Sequence, residues 1–239
     1  MEPVKLTQSL GHQVYEKIRD AICLGELAPG ERLAEDSLAK RLDVSRQPVH
    51  QALQQLHKEG FVQEAGRRGL VVAPMSIELA ENVYDLRAAL DAAAAARAAE
   101  RVTGREREAG EAILLDGRRA VAERDVSAMI QADFLFHRYI YELSGNPLIE
   151  TVATMNWHHV RRVVSALSNR LLSLAPLWQG HEEILCAVLK GDPEGAADLA
   201  RTHVEAALVR LRGFGSTAFA PAAVVPPPAV LQGALHPAG

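Results

Sequence analysis

The chain has 239 residues, enough for one large domain or two smaller ones. Charged residues make up 23% and hydrophobic ones 48%, an ordinary balance for a globular protein, and a formal net charge of −4 excludes a polybasic nucleic-acid binder while leaving room for a local basic patch. No run of 18 uncharged apolar residues makes a membrane helix, and the N-terminus lacks a positive-then-apolar signal pattern, so a cytoplasmic protein is expected. Cys23 and Cys186 stand far apart, form no CxxC, and both read as core residues in a reducing compartment.

Residues 1–74 are dense in short signals. "QSLGHQVYEKIRDAICLGEL" predicts a first helix ending near Gly25, and "APGERL" a turn built on Pro29 and Gly30. "AEDSLAKRL" is a short second helix. "DVSRQPVHQALQQLHKEG" is a third, with Asp43 or Ser45 as N-cap and Gly60 at its C-terminal end. "FVQEAGRRGLVVAP" reads as a hairpin around "AGRRG". Three helices and a small hairpin describe a winged helix-turn-helix over 1–74, with Pro74 at the hinge.

Beyond it the texture is helical, with segments expected at 77–102, 106–124, 126–144, 147–168, 176–190 and 194–212. "GNP" at 145–147 and "GDP" at 191–193 separate neighbouring helices. The fold class is therefore mainly α: a winged helix-turn-helix followed by an all-helical domain over 75–212. Residues 213–239 carry no charge and contain "PAAVVPPPAV", which predicts a disordered Pro/Ala-rich tail.

In the third helix Val49, Ala52, Leu53 and Leu56 share one apolar face. The opposite face carries Gln47, His50, Gln51 and Gln54, flanked by Arg46. Gln can read adenine edges and Arg can bind guanine or phosphate, so this face suits a major groove. The stretch from "LAPGERL" through "VSRQPVHQAL" to the glycine-bearing wing resembles the N-terminal domain of the GntR family of bacterial transcription regulators, over roughly residues 8–73. That resemblance implies DNA contacts from Arg32, Ser45, Arg46, Arg67 and Gly69, besides Gln47, His50 and Gln51 on the reading face. One departure stands out. The family's "VREAL" is "VHQAL" here, so His50 replaces a DNA-contacting arginine. Residues 1–74 hold ten Lys and Arg against ten Asp and Glu, so no net positive field compensates. Modest affinity or an unusual operator is expected.

The helix "SAMIQADFLFHRYIYELSGN" places Asp133 and His137 among core-facing positions, four residues apart on one patch. A lone pair of this kind is usually a satisfied hydrogen bond. His181, however, aligns with Ile184, Leu185 and Val188, and His203 with Ala196, Leu199, Ala200 and Ala207. Burying four such groups costs several kcal/mol unless something satisfies them. One divalent cation held by Asp133, His137, His181 and His203 would satisfy all four, and an O/N donor set suits zinc, nickel, iron or manganese, with zinc foremost. "DFLFH", "GHEEIL" and "ARTHVEAAL", with "YDLRAAL", "LSGNPLI" and "LKGD", also resemble the metal-binding FCD domain of the FadR-like branch of the GntR family, over about residues 77–210. That resemblance implies the same four ligands and a small organic acid reaching the metal. Arg87, in "YDLRAAL", is the first expected anion partner. On the helix after "SGNP", His158, Arg161 and Arg162 are further candidates, and adjacent His158 and His159 cannot both face inward; Asn156 and His159 are carried forward as effector-binding.

The expected function is a ligand-responsive transcription regulator and not an enzyme. It would be a repressor acting as a homodimer on pseudo-palindromic operator DNA, with Gly69 to Ile77 as coupling hinge. One alternative is the same regulator without metal, taking an acyl or apolar effector. A metal-dependent hydrolase is the other, but no additional carboxylate has a clear claim as general base, since Glu182 and Glu183 turn away from the site or to its edge.

Overall fold

A computed structural model describes residues 9–168 and 175–213. The first unit is α1 (Leu10–Leu24), α2 (Glu35–Leu42), α3 (Arg46–Lys58), β1 (Val62–Glu64) and β2 (Leu70–Val72), with one 3-10 turn at Gly66–Arg68 between the strands. The strands pair antiparallel, Val62 opposite Val72 and Glu64 opposite Leu70. Arg32 bridges Val71 on the far side of β2, which ties the PG turn to the wing. Gly69 sits at φ +70°, ψ −138°, a conformation that side chains resist, so the wing's return depends on glycine there.

The helix ends follow local chemistry. Ser9 caps α1 through His12 N–H, and Gly25 closes it in the left-handed region. Of the two N-cap candidates for α3, Ser45 holds that position, while Asp43 (φ 53°) ends α2 instead. The apolar face of α3 is inside as expected: Val49, Ala52, Leu53 and Leu56 join Ile18, Ile22, Phe61 and Val72 in one core. Pro74 falls between β2 and the next helix.

Among the described residues six further helices follow: α4 (Ile77–Arg101), α5 (Arg107–Glu123), α6 (Val126–Ser144), α7 (Pro147–Ser168), α8 (Ala175–Lys190) and α9 (Pro193–Gly213). Ser76 caps α4 by accepting Leu79 N–H, and Asp125 caps α6 by accepting Ala128 N–H. The alanines of α4 are small enough for α6, α8 and α9 to close around it, and Ala94, Ala95 and Ala98 are fully buried. Gly117 of α5 leaves room for the Trp178 indole of α8, whose ring carbons would stand 2.0–2.4 Å from any Cβ. Two apolar clusters result. One gathers Phe136, Ile140, Trp178 and Ile184; the other gathers Trp157, Val160, Val204 and Leu208, with Met75 from the linker.

Cys23 is buried, but Cys186 is exposed, contrary to the sequence expectation. The inward line of α8 runs through Ile184, Leu185 and Val188, and Cys186 is turned off it. Among the described residues no helix is long and apolar enough to cross a membrane. Apart from Gly213, which ends α9, the expected tail lies outside the described residues.

Candidate metal centre and DNA-reading face

Between the two apolar clusters of the helical part lies a polar one. α6 delivers Asp133 and His137, α8 delivers His181 and α9 delivers His203; one ligand atom from each can be chosen so that all lie within 4.8 Å of one another. His137 Nε2 stands 3.1 Å from His181 Nε2. Asp133 Oδ1 is 3.7 Å from His137 Nε2 and 3.2 Å from His181 Nε2. Metal–nitrogen bonds of about 2.0–2.1 Å put neighbouring donors about 2.9 Å apart at right-angled coordination and about 3.4 Å apart in a tetrahedron. The observed separations of 3.1–3.7 Å overlap that range and run slightly beyond it, so a small closure of the side chains brings the donor set onto a transition-metal cation. His137 and His181 are deeply buried, whereas Asp133 and His203 are partly exposed at the edge.

The electrostatics suit such a cation. Burial lowers the His181 pKa to about 4, and burial with two neighbouring imidazoles holds His203 well below its usual value, so both rings are neutral donors near pH 7. Burial alone would raise the Asp133 pKa, but Arg87, His137 and His181 outweigh it and keep the carboxylate ionised. Glycine also makes room: a Cβ at Gly180 would stand 2.5 Å from His203 Nδ1. Alanine ordinarily favours a helix over glycine by about 1 kcal/mol. Here Gly180→Ala should displace the ring and weaken metal binding at least about tenfold, as measured by chelator competition. An unchanged affinity would place His203 outside the ligand set.

Around the four stands a second layer, of which the sequence reading singled out only Arg87. Asp91 Oδ2 is 3.2 Å from His137 Nδ1 and 3.3 Å from Arg87 Nε, and Tyr141 donates its hydroxyl to Asp91 Oδ1 at 2.5 Å. Burial would raise the Asp91 pKa, yet His137, Arg87 and Tyr141 together lower it. The signal in the sequence was an aspartate four residues after Arg87, on the buried stripe of an alanine-rich helix. The Arg87 guanidinium lies 4.9 Å over the Trp157 ring with Nη2 3.7 Å from Asp133 Oδ2, so the expected anion partner already stands between two carboxylates.

Arg87 and Asn156 share a cavity of ≈ 10 Å³ with Tyr141 and Trp157, room for about one water. An open groove of ≈ 550 Å³ runs between α4 and α9, but none of the four cluster residues lines it. His159, expected at the effector pocket, lies elsewhere. Two residues advance a helix by about 200°, so with Trp157 inward His159 points out of the bundle. Its ring stacks on Phe61 of the winged helix, centroids 4.5 Å apart. The same flank of α7 carries Arg161, paired to Asp20 of α1 at 2.7 Å, and Arg162, which donates to the Ala73 carbonyl at 2.6 Å. α7 therefore touches the polar cluster with one face and the winged helix with another.

On the winged helix, Arg32, Ser45, Arg46, Gln47, His50, Gln51, Arg67 and Gly69 are all exposed. Arg46 Nε pairs with Asp36 Oδ1 at 2.8 Å, and His50 Nδ1 with Glu35 Oε1 at 2.8 Å. The N-terminal carboxylates of α2 thus partner both basic groups of the reading face.

Comparison with known proteins accords with both halves. Residues 10–72 match the family of bacterial regulatory proteins called gntR, and residues 82–206 match the FCD domain, more than half of the chain. An HTH-type transcriptional regulator in an unstable DNA locus of Streptomyces ambofaciens is 30% identical over 218 residues, covering 89% of this chain and 91% of that protein. The chain belongs to the GntR family. The HTH-type transcriptional repressor RspR of Escherichia coli K12 is 27% identical over 200 residues, covering 83% and 87%. Among solved structures, Escherichia coli McbR/YncC superposes with a TM-score of 0.74 at 22% identity, over 87% of this chain and 99% of that one. A GntR transcriptional regulator from Rhodococcus sp. RHA1 gives 0.72 at 26% identity, over 85% and 97%.

As a GntR regulator with an FCD domain, the protein is a DNA-binding transcription regulator, and its relatives are regulators rather than enzymes. Its reading head then yields a direct expectation at the departure from "VREAL". His50→Arg should steepen the dependence of log affinity on log salt by about 1, if position 50 meets phosphate. An unchanged slope in a fluorescence-anisotropy titration would remove position 50 from the phosphate contacts.

Proposed function

We propose that this GntR regulator is a homodimeric repressor controlled by a small organic acid that binds over a divalent cation, zinc foremost, held by Asp133, His137, His181 and His203. The observation that carries the reading is the convergence of those donors, from three helices, at coordination spacing. Once a cation holds the three imidazoles neutral, Arg87, Asp91 and Asp133 together contribute one net negative charge beside it. A divalent cation supplies two positive charges and Lewis acidity, so that the site then attracts one carboxylate. Arg87 and Asn156, which line one small cavity, would orient that carboxylate, Arg87 through its guanidinium.

The ≈ 10 Å³ cavity beside Arg87 is too small for an organic acid, so Trp157 and Asn156 must give way when one enters. Both belong to α7, whose other flank holds the winged helix through His159, Arg161 and Arg162. Arg162 grips Ala73, within the Gly69–Ile77 hinge. Displacement at the pocket thereby reaches the hinge and re-aims the reading heads, provided the acid prefers one arrangement over the other. Leu148, Val152 and Met155 form an exposed apolar stripe on α7, at spacing that one face of a second copy could cover.

The test is operator binding by metal-loaded and metal-stripped protein, titrated with a panel of small carboxylic acids. Stoichiometric metal, a mass of two chains, and an acid that shifts operator affinity only in the loaded protein are expected. Protein purified without chelator that carries no metal would favour the second reading, a regulator with an apolar effector. For that reading, against burial and Arg87, Asp91 and Asp133 raise the His137 pKa and the His137–His181 contact supplies one hydrogen bond, although among the described residues His181 Nδ1 is left without a hydrogen-bond partner.

A further inference from the structure

We infer that Asp91 is a positioning residue of the metal centre: it fixes His137 with its proton on Nδ1, leaving Nε2 to the cation. The inference rests on the metal reading above and concerns how the site is held in register.

An imidazole can ligate through either nitrogen, and the partner of the other nitrogen decides which. His137 Nε2 faces Asp133 and His181 within the cluster, while Nδ1 stands 3.2 Å from Asp91 Oδ2 on the opposite side of the ring. Asp91 is 2% exposed, and its Oδ2 has no aligned hydrogen bond. The donors recorded nearest that oxygen are His137 Nδ1 and Arg87 Nε. Tyr141 occupies the other oxygen, Oδ1. Arg87 Nε can only donate, so Oδ2 remains an acceptor in any arrangement. An acceptor fixed opposite Nδ1 leaves the ring no choice of tautomer. Asp91 comes from α4, a helix that supplies none of the four ligands, so it ties the ligand set to the long helix around which the bundle packs.

This makes a distinction between charge and hydrogen-bond geometry. In Asp91→Asn the amide must turn its oxygen toward Arg87 Nε and His137 Nδ1 and its NH2 toward the Tyr141 hydroxyl, which can accept. The acceptor survives although the charge is lost. In Asp91→Ala both are lost.

The experiment uses zinc alone as the probe, with affinity from chelator competition on the full-length protein and the His137 ring read by 15N NMR of the zinc-loaded form. Wild type should show a proton on Nδ1 and zinc on Nε2. Asp91→Ala should bind zinc about 10- to 100-fold more weakly, and Asp91→Asn should recover most of that loss with the same ring pattern as wild type. Should Asp91→Ala not fold, Asp91→Asn and the wild-type spectrum still decide the matter. Zinc on Nδ1 of wild type, undiminished affinity in Asp91→Ala, or an Asn variant that binds zinc as weakly as the Ala variant or far below wild type would each overturn the inference. Wild-type protein that takes up no zinc would instead overturn the metal reading on which it rests.

Discussion

Replacing His181 by alanine is expected to cost about 100-fold in metal affinity. Structural zinc sites are worth about 10–16 kcal/mol over four ligands, so each donor carries roughly 3 kcal/mol, or about two decades in Kd. His181 is the most deeply buried of the four at 1% exposure, packed between Phe136 and Trp178 with ring centroids 4.4 and 4.7 Å away. Its truncation also leaves a hole, costing the metal-free protein about 2–4 kcal/mol, as other large-to-small core changes do. The two effects separate through His203→Ala. That ring sits at the partly exposed edge, so a similar loss of metal affinity should come with a smaller loss of stability. Chelator competition gives the first quantity and urea unfolding in EDTA the second. If both variants bind metal as wild type does, the four residues are not a ligand set.

Arg46→Ala should weaken operator binding by about 1–3 kcal/mol, roughly 5- to 150-fold, while leaving the fold intact. The fold is spared because the Arg46–Asp36 pair is exposed on both sides, and pairs of that kind contribute about 0–1 kcal/mol. Operator and random DNA report different roles. A larger loss on operator means that Arg46 reads a base. An equal loss on both, with a shallower salt slope, means that it meets phosphate. Operator affinity equal to wild type would take Arg46 out of the interface.

The winged helix and the six-helix part are legible in the chain because their signals are local. Gly25, Gly145 and the "GDP" at 191–193 end helices through backbone conformation, and the 3.6-residue period of Val49, Ala52, Leu53 and Leu56 follows from helix geometry alone. The four candidate ligands are legible for the same reason: each is a polar residue out of place on an apolar stripe. Cys186 shows the limit, since a cysteine's apolar character says nothing about the side of α8 it occupies.

What the sequence by itself determined is the order and faces of the helices and the residues that would be costly to bury alone. Only the tertiary structure decided which of those groups meet. It set Asp91 of α4 against His137 of α6, 46 positions away, and Arg161 against Asp20, 141 positions away. It also turned His159 from the pocket to the winged helix. Such meetings depend on how helices cross, which the small alanines of α4 and the glycines at 117 and 180 permit by letting neighbours approach. Periodicity fixes a side chain's direction around its own axis; the packing of other helices against that axis fixes its company.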